Sequence, residues 1–368
     1  MKLGIIGLPS SGKTTIFNAL TRGDAPTGQS MGGRFDVLTA VVDVRDDRID
    51  TLSAMFNPKK TIYARITYTD VGGLKKSEQK GSSISGELIN HLSGLDGFVH
   101  VVRAFDSELV PHMDGSVDAM RDLETLDIEL LLSDLDTVEK RLDKLKNGLA
   151  RGAYKSDKAA AQTEADLFEV LYEGLSEERP LRDLDLTEEQ LKGLRGYGFL
   201  TLKPTLVVFN IGDDQDELAP DYDHNLTVVT NLRGKLEMEL SQISAADDTE
   251  SGDDGSLEMF MEEYGVTELS LDKVVRLNYE LMGLQSFFTV GEDEVRAWTV
   301  EKGANAVKAA GTIHSDLAKG FIRAETVGYN DLITLGSLAE ARNAGKLRQE
   351  GKTYIVKDGD VINIKFNL

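Results

Sequence analysis

Residues 7–14 read GLPSSGKT, and they follow directly on the apolar run KLGII at residues 2–6. They match the pattern G-x-x-x-x-G-K-[ST], in which glycines let the backbone fold around phosphate oxygens and the lysine, here Lys13, reaches the outer phosphates. An amphipathic helical pattern begins immediately afterwards, with Ile16 and Leu20 on its apolar face. Strand, glycine loop and helix therefore arrive in the order of a P-loop, and the sequence predicts a site for a nucleoside triphosphate.

A magnesium ion is expected beside this loop, because Thr14 occupies the position whose hydroxyl binds magnesium in P-loop proteins. Such a site needs a carboxylate at the end of a neighbouring strand, and Asp70 closes the run ITYTDV at residues 66–71. Two glycines follow it and complete the pattern D-x-x-G, in which the N–H of Gly73 can sense a γ-phosphate. We predict Thr14 and Asp70 as magnesium residues, and Lys13, Thr14 and Gly73 as the catalytic set.

The residue after this pattern is Leu74, where Ras-like GTPases usually carry a glutamine that orients the attacking water. An aliphatic side chain cannot do this. Hydrolysis must then depend on backbone groups, on another residue or on a partner that supplies the missing element. We therefore expect slow intrinsic turnover.

A base-reading element is expected after a later strand of the same sheet. Asn210-Ile211-Gly212-Asp213 follows the apolar run TLVVFN at residues 205–210, in the position of an N-[K]-x-D motif. Asp213 can accept the N1 and N2 protons of guanine, but Ile211 replaces the lysine that covers the face of the base. The motif therefore permits GTP without assuring it.

Length and composition predict a cytoplasmic protein of two or three domains. The chain has 368 residues, of which 40% are hydrophobic, and no cysteine, which excludes disulfides, thiolate zinc sites and cysteine nucleophiles and favours a reducing cytosol. No apolar run approaches the length of a membrane span, so no membrane partner is expected. Because the loop begins at Gly7, we expect no cleavable leader ahead of it.

The net charge of -22 argues against nucleic-acid partners, since a uniformly anionic surface repels phosphate, and no DNA partner is expected. The charge is uneven, however: residues 213–272 carry eighteen Asp and Glu against two basic residues. Residues 128–158 hold seven basic and six acidic side chains, and residues 284–368 hold eleven of each. A ribosome or RNA partner therefore stays possible there, and the alternative is that these are ordinary solvated faces.

The order of apolar runs predicts a doubly wound parallel sheet, with strands near residues 2–7, 61–71, 97–105, 205–210 and 226–230. About a hundred residues interrupt this sheet after Phe105, and they carry a helical heptad pattern. Its apolar positions alternate by three and four residues: Ile128, Leu131, Leu135, Val138, Leu142, Leu145 and Leu149. A second helix at about 156–175 would return along the first. We predict an antiparallel coiled-coil arm; the alternative is a helical hairpin packed on the main body.

A separate small α+β domain is predicted from Ser286 onward. Its strands are expected in SFFTV, VRAWTV, GFIRAETV, TYIVKDG and VINIKF, and its helices near residues 304–310 and 337–349.

Several of these segments together resemble the YchF family, the Obg-related P-loop NTPases known in eukaryotes as Obg-like ATPases. They are GLPSSGKTTIFNALT, TDVGGL, HVVRAF, FLTLKPT, VRAWTV, IHSDLAKGFIRAET and YIVKDGDVINIKFN. The resemblance implies an α/β fold: a Ras-like P-loop domain, an inserted helical arm and a C-terminal TGS domain of β-grasp type. It also implies slow magnesium-dependent hydrolysis of ATP or GTP, often with ATP preferred, and association with ribosomes.

When the family's site residues are matched to this sequence by position, the resemblance implies that the phosphates are bound by Ser10, Ser11, Gly12, Lys13, Thr14 and Thr15. It assigns the magnesium shell to Asp70 and the base to Asn210, to which the base motif adds Asp213. The predicted domains are a P-loop domain at 1–283, interrupted by the arm at about 122–200, and a TGS-like domain at 284–368.

Three positions depart from the family pattern. Asp213 stands where the family usually has a glutamate that is associated with adenine tolerance, and Arg34 stands where its first switch has a threonine. The glycine-rich tail of the second switch, at 81–86, has fewer glycines. These changes keep a second function open, that of a non-enzymatic, nucleotide-responsive binding module for RNA or the ribosome, with degenerate switch regions.

Overall fold

The computed structural model describes residues 1–23, 25, 37–72, 85–154, 156–247, 259 and 270–367. The predictions that concern Arg34, Gly73 and Leu74, and most of the glycine-rich tail at 81–86, lie outside these residues. So does nearly all of the acidic stretch between 248 and 269.

The strands, in chain order, are β1 Lys2–Ile6, β2 Val37–Val44, β3 Lys60–Ile62, β4 Ala64–Val71, β5 Gly97–Arg103, β6 Thr205–Asn210, β7 Thr227–Leu232, β8 Leu284–Thr289, β9 Glu294–Glu301, β10 Phe321–Gly328, β11 Arg348–Glu350 and β12 Asp360–Phe366. The helices are α1 Lys13–Thr21, α2 Asp47–Phe56, α3 Gly86–Ser93, α4 Ala119–Ala150, α5 Lys158–Ser176, α6 Glu188–Leu194, α7 Gly234–Asp247, α8 Ser270–Leu281, α9 Ala306–Ile313, α10 Ser315–Lys319, α11 Tyr329–Leu335 and α12 Leu338–Asn343. Among the described helices, none is long and apolar enough to cross a membrane.

The chain divides into two compact units, one made of residues 1–40 and 67–267 and the other of residues 41–66 and 268–368. The second unit includes 41–66 because this segment makes contacts with the C-terminal residues: β3 pairs in parallel with β9, and Arg48 of α2 donates to Asp358 at 2.6 Å. The domain boundary that we predict at residue 283 stays a prediction.

The first sheet has the order β2-β4-β1-β5-β6-β7. The pairs β1–β4, β1–β5, β5–β6 and β6–β7 are all parallel, which confirms the doubly wound arrangement. Every residue of β5 and β6 is buried, as expected for central strands with both faces covered. Because parallel strands end at the same edge, the segments after β1, β4 and β6 meet there.

Two details of this sheet differ from the sequence-based expectation. The run 61–71 is not one strand, since it breaks at Tyr63 into β3, which joins the second sheet, and β4, which joins the first. Strand β2 was not predicted. It is the edge strand of the sheet, and only Val44 in it is buried although its sequence, VLTAVVDV, is mostly apolar and β-branched.

The insertion contains the two predicted helices, α4 and α5, joined by a short connection that makes them antiparallel neighbours. Six of the seven heptad residues are buried or half-buried, and they pack with Phe168, Leu171 and Leu175 of α5. Ile128 is wrong as a seam residue, since it is 45% exposed. At that level α4 turns Leu126 and Leu130 toward the core of the sheet instead. The later part of α4 therefore pairs with α5, as the predicted arm requires, and its earlier part packs on the main body, as the alternative predicts.

The second sheet has the order β11-β10-β12-β8-β9-β3. Its first and last C-terminal strands, β8 and β12, are parallel neighbours, and each has an antiparallel partner on its other side. Helix α9 packs on this sheet through Ala306, Ala309 and Ala310. This is the predicted β-grasp topology. The segment TYIVKDG is wrong as a strand: the short strand of that region lies earlier, at Arg348–Glu350.

Candidate nucleotide-binding site

The loop after β1 follows a path that only glycine allows at two positions. Gly7 and Gly12 have φ values of 154° and 93°, and Ser10 between them has a φ of 62°. A Cβ atom on Gly7 would collide with the carbonyl oxygen of Val101, and one on Gly12 would collide with the amide nitrogen of Asn210. Both glycines of the motif are thus required by backbone conformation and by space.

Helix α1 begins at the end of this loop, with Gly12 as its N-cap. Within the described part of the chain no side chain caps this terminus, and its first turn has no acidic residue. The first N–H groups of a helix have no partner within the helix, and they carry the positive end of its dipole. The backbone of Lys13, Thr14 and Thr15 therefore offers donors to an anion.

The side chain of Lys13 is buried and lies along the loop. Its Nζ donates to the carbonyl oxygens of Gly7 at 3.0 Å and Leu8 at 2.8 Å. Burial lowers the pKa of Lys13 to about 8, although the nearby Asp70 carboxylate acts in the opposite direction. A polyphosphate beside this amine would compensate for its desolvation and favour the charged form.

Asp70 lies at the end of β4, paired with Ile5 of β1, and is only 6% exposed. Its Oδ2 accepts a hydrogen bond from the Thr14 hydroxyl at 2.8 Å, and burial raises its pKa. Its Oδ1 is buried and lacks a hydrogen-bond partner among the described residues, as does the Oγ of Ser11. Buried polar groups are rarely left unpaired without a functional reason.

These orphaned atoms provide a test of whether magnesium fits the site. Hard cations take oxygen ligands, and magnesium is usually held by one or two carboxylate or hydroxyl groups together with phosphate and water. The Thr14 hydroxyl and the Asp70 carboxylate supply that donor set beside the free N–H groups of α1. The residues present therefore fit magnesium with a polyphosphate.

Asn210 is predicted to contact the base of the nucleotide, and the structure shows that its side chain also hydrogen-bonds the phosphate loop. Its Nδ2 donates to the carbonyl oxygen of Ser11 and its Oδ1 accepts from the N–H of Gly234, both at 3.0 Å. The side chain is only 4% exposed. Asn210 therefore braces the phosphate loop against the start of α7. Sequence reasoning missed this role because both partners are backbone atoms of distant segments.

The rest of the base motif lies on a loop of defined shape. Asp213 is exposed, whereas the side chain of Ile211 is buried in the core next to β6. The Arg233 guanidinium donates to the carbonyl oxygens of Asp213 at 2.9 Å and Gln215 at 3.3 Å. Arg233 is a second residue that sequence reasoning missed. Its position directly after β7, at the same edge of the sheet, was the available signal.

Phe105 is a third missed residue, and it lies two residues after β5 at this edge. Its half-buried ring stands 3.8 Å from the position that a Cβ on Gly12 would take. The guanidinium of Arg103 lies 4.6 Å from the ring centroid and donates to the carbonyl oxygen of Phe105. An apolar wall thus borders the phosphate loop.

The predicted residues fall into three groups. One group forms the loop and the first turn of α1: Ser10, Ser11, Gly12, Lys13, Thr14 and Thr15. Asp70 and Asn210 reach this loop through hydrogen bonds. Asp213 lies exposed on the neighbouring loop, and Gly73 is outside the described residues. A glycine loop between a parallel strand and a helix, with a lysine and a magnesium-type carboxylate, defines a P-loop NTPase.

Comparison with known proteins agrees with this class. The family model described as "50S ribosome-binding GTPase" matches residues 2–140, and the model YchF-GTPase_C, described as "Protein of unknown function (DUF933)", matches residues 284–367. The chain is 40% identical to the ribosome-binding ATPase YchF of Bacillus subtilis (strain 168), over 99% of each chain. It is 38% identical to the protein of the same name from Escherichia coli O157:H7, over 100% of this chain and 99% of that one.

The similarity extends to eukaryotes and to a solved structure. The chain is 36% identical to Obg-like ATPase 1 of Caenorhabditis elegans, over 100% of this chain and 92% of that one. It superimposes on the structure of the Schizosaccharomyces pombe YchF GTPase with a TM-score of 0.81 and 30% identity, covering 99% of this chain and 97% of that one. The chain belongs to the YchF family of Obg-like P-loop NTPases, as the resemblance predicts.

Proposed function

We propose that this chain is a magnesium-dependent nucleoside triphosphatase that hydrolyses the γ-phosphate of ATP or GTP slowly and associates with the ribosome. The observation that carries the enzymatic part is the pair Thr14–Asp70 beside the start of α1: its carboxylate has a buried oxygen that no described residue hydrogen-bonds. The names of the relatives support the ribosomal part.

Each residue has a separate task in this proposal. Lys13 and the N–H groups of the loop stabilise negative charge on the transferring phosphate, and water attacks in line with the leaving oxygen. Thr14 and Asp70 would hold a magnesium ion, which would supply positive charge to neutralise the phosphates. Asn210 fixes the shape of the loop through the Ser11 carbonyl, so that the donors are positioned before the nucleotide arrives.

Slow turnover is proposed because Leu74 cannot orient the attacking water. Multiple-turnover phosphate release by the purified full-length chain tests the enzymatic function. We expect a low rate that depends on magnesium and exceeds that of the Lys13→Ala variant. A rate equal to that of Lys13→Ala would contradict hydrolysis at this site. The relatives are named as ATPases and GTPases, which gives no support to the alternative of a non-enzymatic module.

The arm and the TGS-like region at 284–368 are the proposed docking surfaces for the ribosome. We propose the cytoplasm as the compartment, because both the nucleotide and the ribosome are found there. No DNA or membrane partner is proposed.

Asp70→Asn is expected to raise the magnesium concentration needed for half-maximal hydrolysis at least tenfold. The amide keeps the size of the side chain but removes the negative charge that attracts the cation. Magnesium titration of phosphate release at saturating nucleotide measures this change. Asp96→Asn is the matched control, since Asp96 is an exposed carboxylate of the same unit. An unchanged magnesium requirement in Asp70→Asn would show that the cation is held elsewhere.

Asp213→Glu is expected to shift the preference of the site from GTP toward ATP. The longer side chain moves the carboxylate relative to the base edge, and the resemblance to the YchF family associates a glutamate at this position with adenine tolerance. Competition titrations with labelled ATP and GTP measure the ratio of the two affinities. The neighbouring exposed Asp214→Glu serves as the control. If Asp213→Glu leaves the ratio unchanged, the base is read by other residues.

A further inference from the structure

The end of the arm is cationic in a chain whose net charge is -22. Residues 139–158, which we call the arm tip, hold seven basic and three acidic side chains. The next twenty residues, 159–178, hold six acidic and no basic side chains. Because α5 runs back along α4, some of these carboxylates lie beside the tip and balance part of its charge.

Three cations of the tip are neutralised within the arm. Lys140 pairs with Asp136 at 2.6 Å, Arg141 with Glu164 at 2.7 Å, and Lys146 with Glu169 at 3.0 Å. The remaining described cations, Lys144, Arg151 and Lys158, are exposed, and the described residues provide none of them with an ionic partner. These three side chains are free to meet an external anion.

Backbone hydrogen bonds and the ring of Tyr154 order the end of α4 around Arg151. The N–H of Arg151 donates to the carbonyl oxygen of Asn147 at 3.1 Å, and that of Ala153 donates to Gly148 at 2.8 Å. The ring of Tyr154 lies over Gly148 so closely that no Cβ would fit there. The residues that follow α4, up to Tyr154, are therefore packed against the end of that helix.

Lys158 occupies a position that costs stability. It is the first residue of α5, at the positive end of the helix dipole, and the N-cap Asp157 makes no capping hydrogen bond. A cation there is unfavourable by roughly 0.3–1 kcal/mol, whereas a carboxylate would be favourable. An anionic partner would offset this unfavourable interaction.

The tip also lies far from the point where the arm is anchored. Asp134 of α4 accepts hydrogen bonds from the backbone of Leu200 and Thr201 at 2.9 and 2.8 Å, which fixes the helix there. From Asp134 to the end of α4 at Ala150 the helix rises about 24 Å, at about 1.5 Å per residue. The charged surface is thus carried well along the arm from its attachment.

The chemistry of the tip favours one kind of partner. Its tyrosine is half-buried against the apolar core of the arm, so it offers no exposed ring on which a base could stack. The tip offers cationic side chains, and such side chains bind the phosphate backbone of a nucleic acid whatever its base sequence. We propose that the arm tip docks on the phosphodiester backbone of RNA through Lys144, Arg151 and Lys158. This inference rests on the proposed association with the ribosome.

The test uses the full-length chain with Lys144, Arg151 and Lys158 all changed to glutamine. The control changes Arg179, Lys192 and Arg195 to glutamine, which removes the same charge from exposed positions at the other end of the insertion. The probes are a short labelled RNA duplex of mixed sequence and purified 50S ribosomal subunits. We expect the tip variant to bind both probes at least tenfold more weakly, with the control close to wild type.

Salt dependence provides the second measurement. Each phosphate contact contributes about 0.9 to the slope of log affinity against log salt for a duplex, so losing three contacts lowers the slope by about 2 to 3. Phosphate release and thermal unfolding of the tip variant should match wild type, because the changed residues are exposed and remote from the loop.

Each other outcome has a definite meaning. Equal binding of the tip variant and the control to both probes would overturn the inference while leaving the proposed function intact. Weaker binding to 50S subunits with unchanged binding to the duplex would also overturn it, in favour of a ribosomal protein as the partner. If the wild-type chain binds neither probe, the proposed ribosome association itself fails.

Discussion

We expect Lys13→Ala to weaken triphosphate binding at least tenfold, a loss of about 1.4 kcal/mol or more in binding free energy. The amine is buried, and its hydrogen-bond partners among the described residues are two loop carbonyls, so a polyphosphate in the loop would compensate for its desolvation. The variant should also lose measurable phosphate release, since the same charge stabilises the transferring group. Titration with labelled ATP and GTP measures the affinity.

The matched control is Lys2→Ala, which removes an exposed lysine of β1. This variant should bind nucleotide as wild type does. Thermal unfolding in the absence of nucleotide shows whether Lys13→Ala is folded. If Lys13→Ala binds triphosphate with unchanged affinity, the assignment of the loop as the phosphate site is incorrect.

The second large effect is expected at Asp134, which attaches the arm to the sheet. Its carboxylate accepts hydrogen bonds from the N–H of Leu200 at 2.9 Å and from the N–H and hydroxyl of Thr201 at 2.8 and 2.6 Å. Asp134→Ala leaves three buried donors without an acceptor, and each costs about 1–3 kcal/mol. We expect a loss of about 3 kcal/mol or more in the free energy of unfolding, measured by urea denaturation.

Asp136→Ala provides the control for this change. Asp136 lies two residues further along the same helix and makes an exposed pair with Lys140. Exposed pairs of this kind contribute about 0.3–0.5 kcal/mol. Similar losses in Asp134→Ala and Asp136→Ala would mean that the buried hydrogen bonds do not anchor the arm.

Asp134 also predicts a dependence of stability on pH. Burial raises the pKa of this carboxyl from 3.8 to about 6, so between these values the folded chain binds more protons than the unfolded chain. Its contribution to stability therefore falls as the pH rises from 3.8 to 6. At about 1.4 kcal/mol per pKa unit, the change is about 3 kcal/mol. Wild type should gain this stability relative to Asp134→Asn on acidification, in urea denaturation at a series of pH values. A constant difference would contradict the raised pKa.

The phosphate loop and the arm show which features the local spacing of residues predicts correctly. The spacing of GLPSSGKT predicts the strand, loop and helix that the structure contains, because its residue types are required locally, either by the backbone conformation or by phosphate binding. The heptad spacing likewise predicts α4 and most of its buried face. It fails at Ile128, where a second surface, the sheet, competes for the same helix.

The errors and omissions share one cause. The run 61–71 has a continuous strand pattern, yet its two halves belong to different sheets. Periodicity reports the alternation of apolar residues and carries no information about which strand will be the neighbour. The brace at Asn210 was missed for a similar reason, since its partners are a backbone carbonyl and a backbone N–H that every residue possesses.

Sequence by itself determined the chemical class of the site, the family and the order of the main elements, because short-range spacing specifies turns, helices and phosphate-binding backbone. Tertiary structure alone decided which distant segments hold that site and arm in place. Ser11 meets Asn210 across 199 positions of the chain, and Asp134 meets Thr201 across 67. Such contacts depend on the path of the whole chain and on the exclusion of water from the place where the segments meet. Neither can be inferred from a local stretch of sequence.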